Sequence, residues 1–321
     1  MTGAEFLTAY PLVRTDKLDA LCRALARLLS NPVVEQIGRD RPLGAVQNHY
    51  RMDRVGISYG RYGAAIRFQN PEPKIISQIY PVGQSAEVTV DGTTVVVGRD
   101  GGAVVSAHAS EYGVLAAPGY ERLMLLVDER AACAKLSALA GTCVSGPLTF
   151  EPRHDLNAPL ARSLRQNFMF LVAQVDAGLV LPPLVLAEFE QTLMVMFLIA
   201  NRHNCSHLLE SDVRDGDERQ LRAAEAHIEA HWDRPLPLED LVAASGLSGR
   251  SLFQTSRKRR GYSPFDYLKR ARLQEARARL LRREASVEAV TWTCGFRDVA
   301  QFVSAYREAF GEDPPPPARP H

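Results

Sequence analysis

No C-x-x-C pair, H-E-x-x-H helix, G-x-S-x-G elbow or phosphate-cradling glycine loop occurs in the 321 residues. The chemistry of zincins, hydrolases and nucleotide-dependent enzymes needs those groups at fixed spacing, so a catalytic function is not expected and no cofactor is implied. The five cysteines, Cys22, Cys133, Cys143, Cys205 and Cys294, are odd in number and scattered, which argues against a disulfide framework or a zinc ribbon and suits a reducing cytoplasm. His203, Cys205 and His207 are close in sequence but have no further Cys or His partners nearby, and zinc needs a fuller ligand set. His49 and His108 lie far apart without an H-x-H, short of what a metal-dependent barrel oxygenase requires. The opening MTGAEFLTAYPLVRTDK lacks the basic start and apolar core of a signal peptide. The longest apolar run, Leu193 to Ala200, is too short for a bilayer of about 30 Å. A cytoplasmic protein with no membrane partner is expected.

Net charge is nearly absent as well, at +1, until it is divided along the chain. Residues 1–218 carry 20 Lys and Arg against 24 Asp and Glu, whereas residues 219–313 carry 17 against 13. The window 249–283 alone holds 12 basic residues against only Asp266 and Glu275. A field of that sign attracts polyanions. What the chain does have is apolar matter, 46% of its residues, enough for a sizeable core, and its length suits two domains.

Taken in order, Asp16 to Ser30 predicts an amphipathic helix, with Leu18, Leu21, Cys22, Leu25, Leu28 and Leu29 at three- and four-residue spacings. Short β-branched and aromatic runs then alternate with Gly, Pro and Asp: Arg54 to Tyr59, Ile75 to Tyr80, Ala86 to Val90, Thr93 to Val97, Ala103 to Ser106 and Leu123 to Val127. Such spacing predicts a sandwich or barrel, and Asp91-Gly92 between two of the runs predicts a tight hairpin. Helical periodicity returns from Asn157 to Asn201. Pro159 stands in the first turn of one helix, Gly178 ends it, and Pro182-Pro183 start another that is apolar all round from Leu193 to Ala200. A helix apolar on every side is buried on every side, in its own core or against a second copy. The acidic, glycine-containing ESDVRDGDE reads as a linker.

Beyond it, Leu238 to Gly261, LEDLVAASGLSGRSLFQTSRKRRG, presents two short helical patterns meeting at Ser245-Gly246-Leu247, the second opened by Ser248 as cap. That is a helix-turn-helix pattern, in which the second helix enters the major groove of DNA. A long helix follows, capped by Ser263 with Pro264 in its first turn, and its apolar side carries Leu268, Ala271, Leu273, Ala276 and Leu280. The theme then repeats in SVEAVTWTCGFRDVAQFVSAYREAFG, with a link at Cys294-Gly295-Phe296 and Asp298 as the next cap. Two reading heads on one strut could enter successive major grooves about 34 Å apart.

These carboxy-terminal segments, from about Arg219 to Pro314, resemble the DNA-binding domain of the AraC/XylS family of transcription regulators. The segments RPLGAVQNHYRMDRVGISYG, IYPVGQSAEVTVDG and ERLMLLVDER further resemble the effector domain of the branch with aromatic-acid-responsive activators. The resemblance implies a two-domain α+β protein. Residues 1–210 would form an effector-binding and dimerisation domain, a cupin-like β-barrel over 42–130 with helices over 131–209. Residues 211–218 would link it to a double helix-turn-helix domain at 219–321. In the first unit Arg250, Phe253 and Gln254 would face bases, Arg gripping guanine, Gln adenine and Phe a thymine methyl, while Ser251, Arg257 and Lys258 would meet phosphate. In the second, Arg297, Ala300, Gln301 and Ser304 form the corresponding surface, poorer in base readers, so the first unit is expected to carry most direct readout. Two positions depart from the family pattern. Ser256 replaces a large apolar residue, which predicts a less firmly packed reading helix, and Thr291 replaces a small Ala. The tail Pro314 to Pro317 reads as a disordered end.

For the amino-terminal domain the candidate effector contacts are Arg41, His49, Tyr59, Arg61, Tyr80 and His108, a few polar groups on apolar walls, with Arg41 or Arg61 able to pair with a carboxylate. A β scaffold that only mediates assembly is the alternative. The implied partners are promoter DNA, a small organic effector, RNA polymerase and a second copy of the chain, with no metal.

Overall fold

A computed structural model describes residues 5–38, 40–179, 181–210 and 216–315, apart from the side chain of Glu210. The chain divides into two compact units. The first comprises Met1–Cys133, Val144–Leu179 and Leu193–Leu209, and the second Ala134–Cys143, Val180–Thr192 and Glu210–His321. The sequence-based division placed 134–143 and 180–192 with the effector domain; here they pack with the carboxy-terminal helices. Residues 211–215 of the expected linker and 316–317 of the expected disordered tail lie outside the described residues. Its last residues are ordered: the Gly216 amide donates to Thr255 Oγ1 at 2.8 Å and Asp217 caps a helix.

The first unit is built on strands β1 (Pro11–Thr15), β2 (Val33–Ile37), β3 (Ala45–Arg51), β4 (Val55–Tyr62), β5 (Ala65–Gln69), β6 (Ile76–Pro81), β7 (Ala86–Val90), β8 (Thr93–Val97), β9 (Gly101–Val105), β10 (Tyr112–Ala116), β11 (Tyr120–Val127) and β12 (Arg153–Asp155). They form two antiparallel sheets, one of seven strands in the order β1-β3-β4-β11-β6-β9-β12 and one of five in the order β2-β5-β10-β7-β8. This is the cupin-like β architecture expected, as a two-sheet sandwich. Side chains alternate between faces along a strand, so one face of each sheet turns inward. From the small sheet come Phe68, Val88, Val90, Tyr112 and Val114; from the large one Ala45, Tyr62, Ile79, Ala103, Tyr120, Met124 and Leu126. The β7–β8 hairpin turns on Asp91 and Gly92, at φ 47° and 77°, the positive angles such a two-residue turn requires.

Helix α1 (Leu18–Leu25) is shorter than its periodic pattern, because residues 26–30 fold into turns ahead of β2. Helices α2 (Glu129–Ala140), α3 (Pro159–Asp176), α4 (Pro183–Ala200) and the single turn α5 (His207–Glu210) follow. Helix α4 has a mean hydropathy of 1.6 over 18 residues. It carries Glu188, Glu190 and Gln191, and buries Val185, Phe189, Leu193, Met194, Phe197 and Leu198, but Val195 and Met196 are half-buried and Ile199 is 48% exposed, so the expected burial on every side is not met. The rings of His203 and His207 donate to the carbonyls of Leu198 and Asn204.

His154 on β12 is buried, and burial pushes its imidazole down to about 4. The fold therefore holds it neutral while the unfolded chain takes up a proton near pH 6.5. Its contribution to stability is complete above that value and is lost as pH falls toward 4. Through this group, denaturant unfolding should show a stability about 1 kcal/mol lower at pH 5.5 than at pH 6.5. His154→Phe should flatten that slope, and an unchanged slope would contradict the assignment.

Candidate nucleic-acid interface

The second unit contains α6 (Glu218–His231), α7 (Leu238–Ser245), α8 (Gly249–Arg260), α9 (Pro264–Leu281), α10 (Val287–Thr293) and α11 (Val299–Phe310). Every start but that of α7, which follows Pro237, is fixed by a side-chain hydrogen bond. Ser248 Oγ accepts from the Ser251 amide at 3.1 Å, Ser263 and Asp266 form a reciprocal capping box, and Asp298 accepts from the Gln301 amide at 2.6 Å. The tight links turn on Gly246 and Gly295, at φ 68° and 77°. No atom lies closer than 3.9 Å to a methyl built on Gly246, so Gly246→Ala should cost about 1 kcal/mol through left-handed backbone strain alone. Urea unfolding measures this; an unchanged midpoint would mean that the turn relaxes.

Two small cores stand side by side. The first gathers Leu221, Ala224, Ile228, Leu241, Leu247, Leu252 and Leu268 from α6 to α9; the second gathers Leu273, Ala276, Leu280, Val290, Phe296, Phe302 and Tyr306 from α9 to α11. Helix α9 thus supplies a wall to both. At about 1.5 Å per residue its 18 residues span roughly 27 Å, which ties the two helix-turn-helix units into one frame.

On α8, Leu252, Thr255 and Ser256 face inward, whereas Gln254, Arg257 and Lys258 are exposed and Arg250 and Phe253 half-exposed. The Phe253 ring packs 5.6 Å from Phe265. Ser251, expected at phosphate, is instead buried, and its hydroxyl accepts from Ser248. Ser256 is buried too, but its hydroxyl donates to the Tyr262 carbonyl at 2.7 Å. Paired in that way it ties the end of the helix to the following loop, so the expected loss of packing is offset. Thr291 similarly donates to the Val287 carbonyl at 2.7 Å. On α11, Ala300, Gln301 and Ser304 are exposed. Arg297 is not free to reach a base: its guanidinium lies 4.4 Å from the Phe189 ring centroid and donates to Thr192 Oγ1 at 3.0 Å. Burial lowers its pKa.

The basic window is less naked than its composition. Arg260 bonds both Glu225 and Glu218, Arg259 donates to the Gly216 carbonyl, and Arg272, 6% exposed, pairs with Glu188 at 3.0 Å. Hydrogen bonds from Arg260 and then Arg222 hold the Glu218 carboxyl down at about 2. Nearby, Lys135 and Glu239 form an ion pair at 2.6 Å, with the lysine side chain only 2% exposed. These cations serve the fold, whereas Arg257 and Lys258 are exposed on α8. Sequence reasoning missed Lys135 and Glu188 because their partners lie 104 and 84 residues away.

In the first unit the six expected effector residues do not converge. Arg41 is exposed, with its carbonyl accepting from Gln36 Nε2. Tyr59 donates to Glu121 Oε2 at 3.1 Å, Arg61 lies 3.7 Å from Glu5, and the Tyr80 ring stacks on Phe168 of α3 at 4.9 Å. Tyr59 and Tyr80 occupy one cross-strand row with Leu123, on the sheet face opposite the sandwich interior. His108 is exposed and bonds Glu129 at 2.7 Å, beside a cavity of about 520 Å³ lined by Pro71, Glu72, Lys74 and residues 107–110. Only His49 lies on the inward face, its ring 3.1 Å from where a methyl on Gly56 would sit. Burial lowers its pKa. Among the inward polar residues that sequence reasoning missed are Gln47 and Arg122, both buried.

With this geometry in hand, the likenesses to known proteins are specific. An AraC-binding-like domain model matches residues 21–199, and a helix-turn-helix domain model matches residues 241–315. The chain is 31% identical over 199 residues to the "Probable thc operon regulatory protein" of Rhodococcus erythropolis, covering 60% of this chain and 59% of that one. It is 28% identical over 183 residues to the "HTH-type transcriptional activator RhaS" of Pectobacterium carotovorum subsp. carotovorum (strain PC1), covering 56% of this chain and 62% of the relative. The chain therefore spans about three fifths of the length of these curated relatives, both named as regulators rather than enzymes. A solved "probable AraC family transcriptional regulator" from Rhodopseudomonas palustris CGA009 is 40% identical over 30% of this chain and 90% of its own, with a TM-score of 0.29. With the first model alone covering more than half of its length, and two helix-turn-helix units in place, the chain belongs to the AraC family of transcription regulators.

Proposed function

We propose that the chain is a cytoplasmic, effector-responsive activator that binds promoter DNA as a homodimer and acts with RNA polymerase. The observation that carries the DNA-reading half is the pair of capped helices, α8 and α11, each following a left-handed glycine turn and braced by a common strut. Arg250, Phe253 and Gln254 read bases from α8, Arg257 and Lys258 meet phosphate, and Ala300, Gln301 and Ser304 form the second, weaker contact. Support for an effector comes from the polar residues kept inside the β-sandwich, where a scaffold used only for assembly gains nothing from burying them. A small organic acid, in the manner of the aromatic-acid-responsive branch, is the effector class favoured.

The test is transcription of the operon beside the gene, in cells with the wild-type chain, without it, and with the Arg250→Ala, Gln254→Ala chain. Transcript levels should rise with one class of growth substrate only in the wild type. Levels independent of the chain under every substrate would remove the proposal. A chain-dependent but substrate-independent level would favour a regulator whose amino-terminal unit only assembles it.

A further inference from the structure

We infer that the first unit holds a small monocarboxylate between its sheets, gripped by the guanidinium of Arg122 and the amide of Gln47 above Gly60. This rests on the effector-responsive reading and names the chemistry of that site. Register brings the three residues together. Arg122 of β11 faces Gly60 of β4, and Gly60 faces Gln47 of β3, so all three lie in one row across adjacent strands. The row turns inward, because Tyr120 and Met124, two residues either side of Arg122, belong to the sandwich core, as do Tyr62 beside Gly60 and Ala45 beside Gln47. A methyl built on Gly60 would stand 2.8 Å from Arg122 Nη1 and 2.9 Å from both Gln47 amide atoms. Glycine there leaves the two side chains the space over the strand.

Both side chains are fully enclosed, Arg122 at 4% and Gln47 at 0% exposure. Yet Arg122 Nη1, both amide atoms of Gln47 and the Tyr120 hydroxyl have no hydrogen-bond partner among the described residues. Arginine cannot shed its proton in a protein, so the buried site carries a full positive charge. Its guanidinium donates a hydrogen bond to Tyr62, and the groups acting electrostatically on it are Tyr62, Tyr112 and Tyr120, with no carboxylate among them. Tyr112 and Tyr120 do not serve as counter-ions: burial pushes the Tyr112 hydroxyl up to about 12 and that of Tyr120 higher. An unpaired charge of this kind is among the most costly features a core can contain. Water could satisfy the donors but not the charge. A carboxylate does both, accepting from the guanidinium while Gln47 donates to it. The surrounding Tyr62, Tyr112, Tyr120 and Phe68, with Met124 and Leu126, suit an apolar body behind the acid group. His49 and Ser58 form an adjacent inward row, which offers neutral polar contacts farther along the ligand.

The experiment follows thermal unfolding of the full chain in acetate, hexanoate and benzoate, each against its own amide at equal ionic strength. At least one carboxylate should raise the midpoint above its amide by several degrees near saturation. Arg122→Met should abolish that difference, and Gln47→Leu should narrow it, in chains that still retard promoter DNA. Should the Met variant fail to fold, Arg122→Lys keeps the charge but not the fork, and should retain a weakened carboxylate preference. The inference is overturned if no carboxylate exceeds its amide, or if the preference survives Arg122→Met. Stabilisation by acids and amides alike would overturn it while leaving an effector-responsive regulator intact. The transcript comparison tests that broader reading independently.

Discussion

Replacing Arg250 and Gln254 together by Ala should lower affinity for the specific promoter site about 100-fold, while weak binding to unrelated DNA at low salt persists. A bidentate side-chain contact to a base discriminates by about 1–3 kcal/mol, and two lost contacts at the middle of that range exceed the roughly 2.7 kcal/mol of a 100-fold change. Gln254 is exposed and Arg250 half-exposed on α8, whose inner side is fixed by Leu252, Thr255 and Ser256. The matching change on α11, Gln301→Ala with Ser304→Ala, should cost less, because neither a guanidinium nor a second bidentate amide is presented there. Competition binding against single-base variants of the site reads both effects. Equal losses from the two helices would refute the ranking.

Phe302→Ala should lower the stability of the second unit by about 3–5 kcal/mol, the range for truncating a buried aromatic side chain. Phe302 is fully enclosed, with ring centroids 5.2 Å from Phe296 and 5.8 Å from Tyr306. It packs with Phe296 and Tyr306 in the core that α9 to α11 share, so removing its ring opens a void there. A loss of that size is a large share of the 5–15 kcal/mol typical of a whole domain. The contacts made by α11 should fail first, while the core shared by α6, α7 and α8, which Phe302 does not touch, keeps the first reader folded. Urea unfolding gives the stability change and footprinting shows which half of the site is lost. A variant of wild-type stability would mean that the core repacks.

The carboxy-terminal unit was largely legible in the sequence because its determinants are local. Ser248, Ser263 and Asp298 cap the helices they precede, and Gly246 and Gly295 sit where the backbone turns left-handed. Charge was less legible, since whether an arginine faces solvent or a partner depends on distant residues. Arg297 looks like a base reader until Phe189 and Thr192 are brought to it, and Ser256 looks like a packing defect until Tyr262 offers a carbonyl.

In the amino-terminal unit the strands over 86–97 could be read from alternation and a turn. Strands β1, β2, β3, β5, β10 and β12 are short or irregular in pattern, and their existence depends on pairing with neighbours far along the chain. The expected strand Leu123 to Val127 began three residues after β11 does, which left Arg122 outside it. Had the alternation been extended back to Tyr120, Arg122 would have fallen among Tyr120, Met124 and Leu126, a charge on an apolar face. Tyr59, Arg61 and Tyr80 fall on the sheet face opposite Arg122, because a one-residue step in a strand exchanges its two faces.

The central claim is that one chain reads DNA with two helices held on a common strut. Hydroxyl-radical footprinting of the full chain on its promoter tests it most directly. The account predicts that each bound copy protects two patches on one face of the duplex, about 34 Å or one helical turn apart, with the patch lost in the Arg250→Ala, Gln254→Ala chain distinct from the one weakened by Gln301→Ala. A single protected groove, equally diminished by both sets of changes, would contradict it.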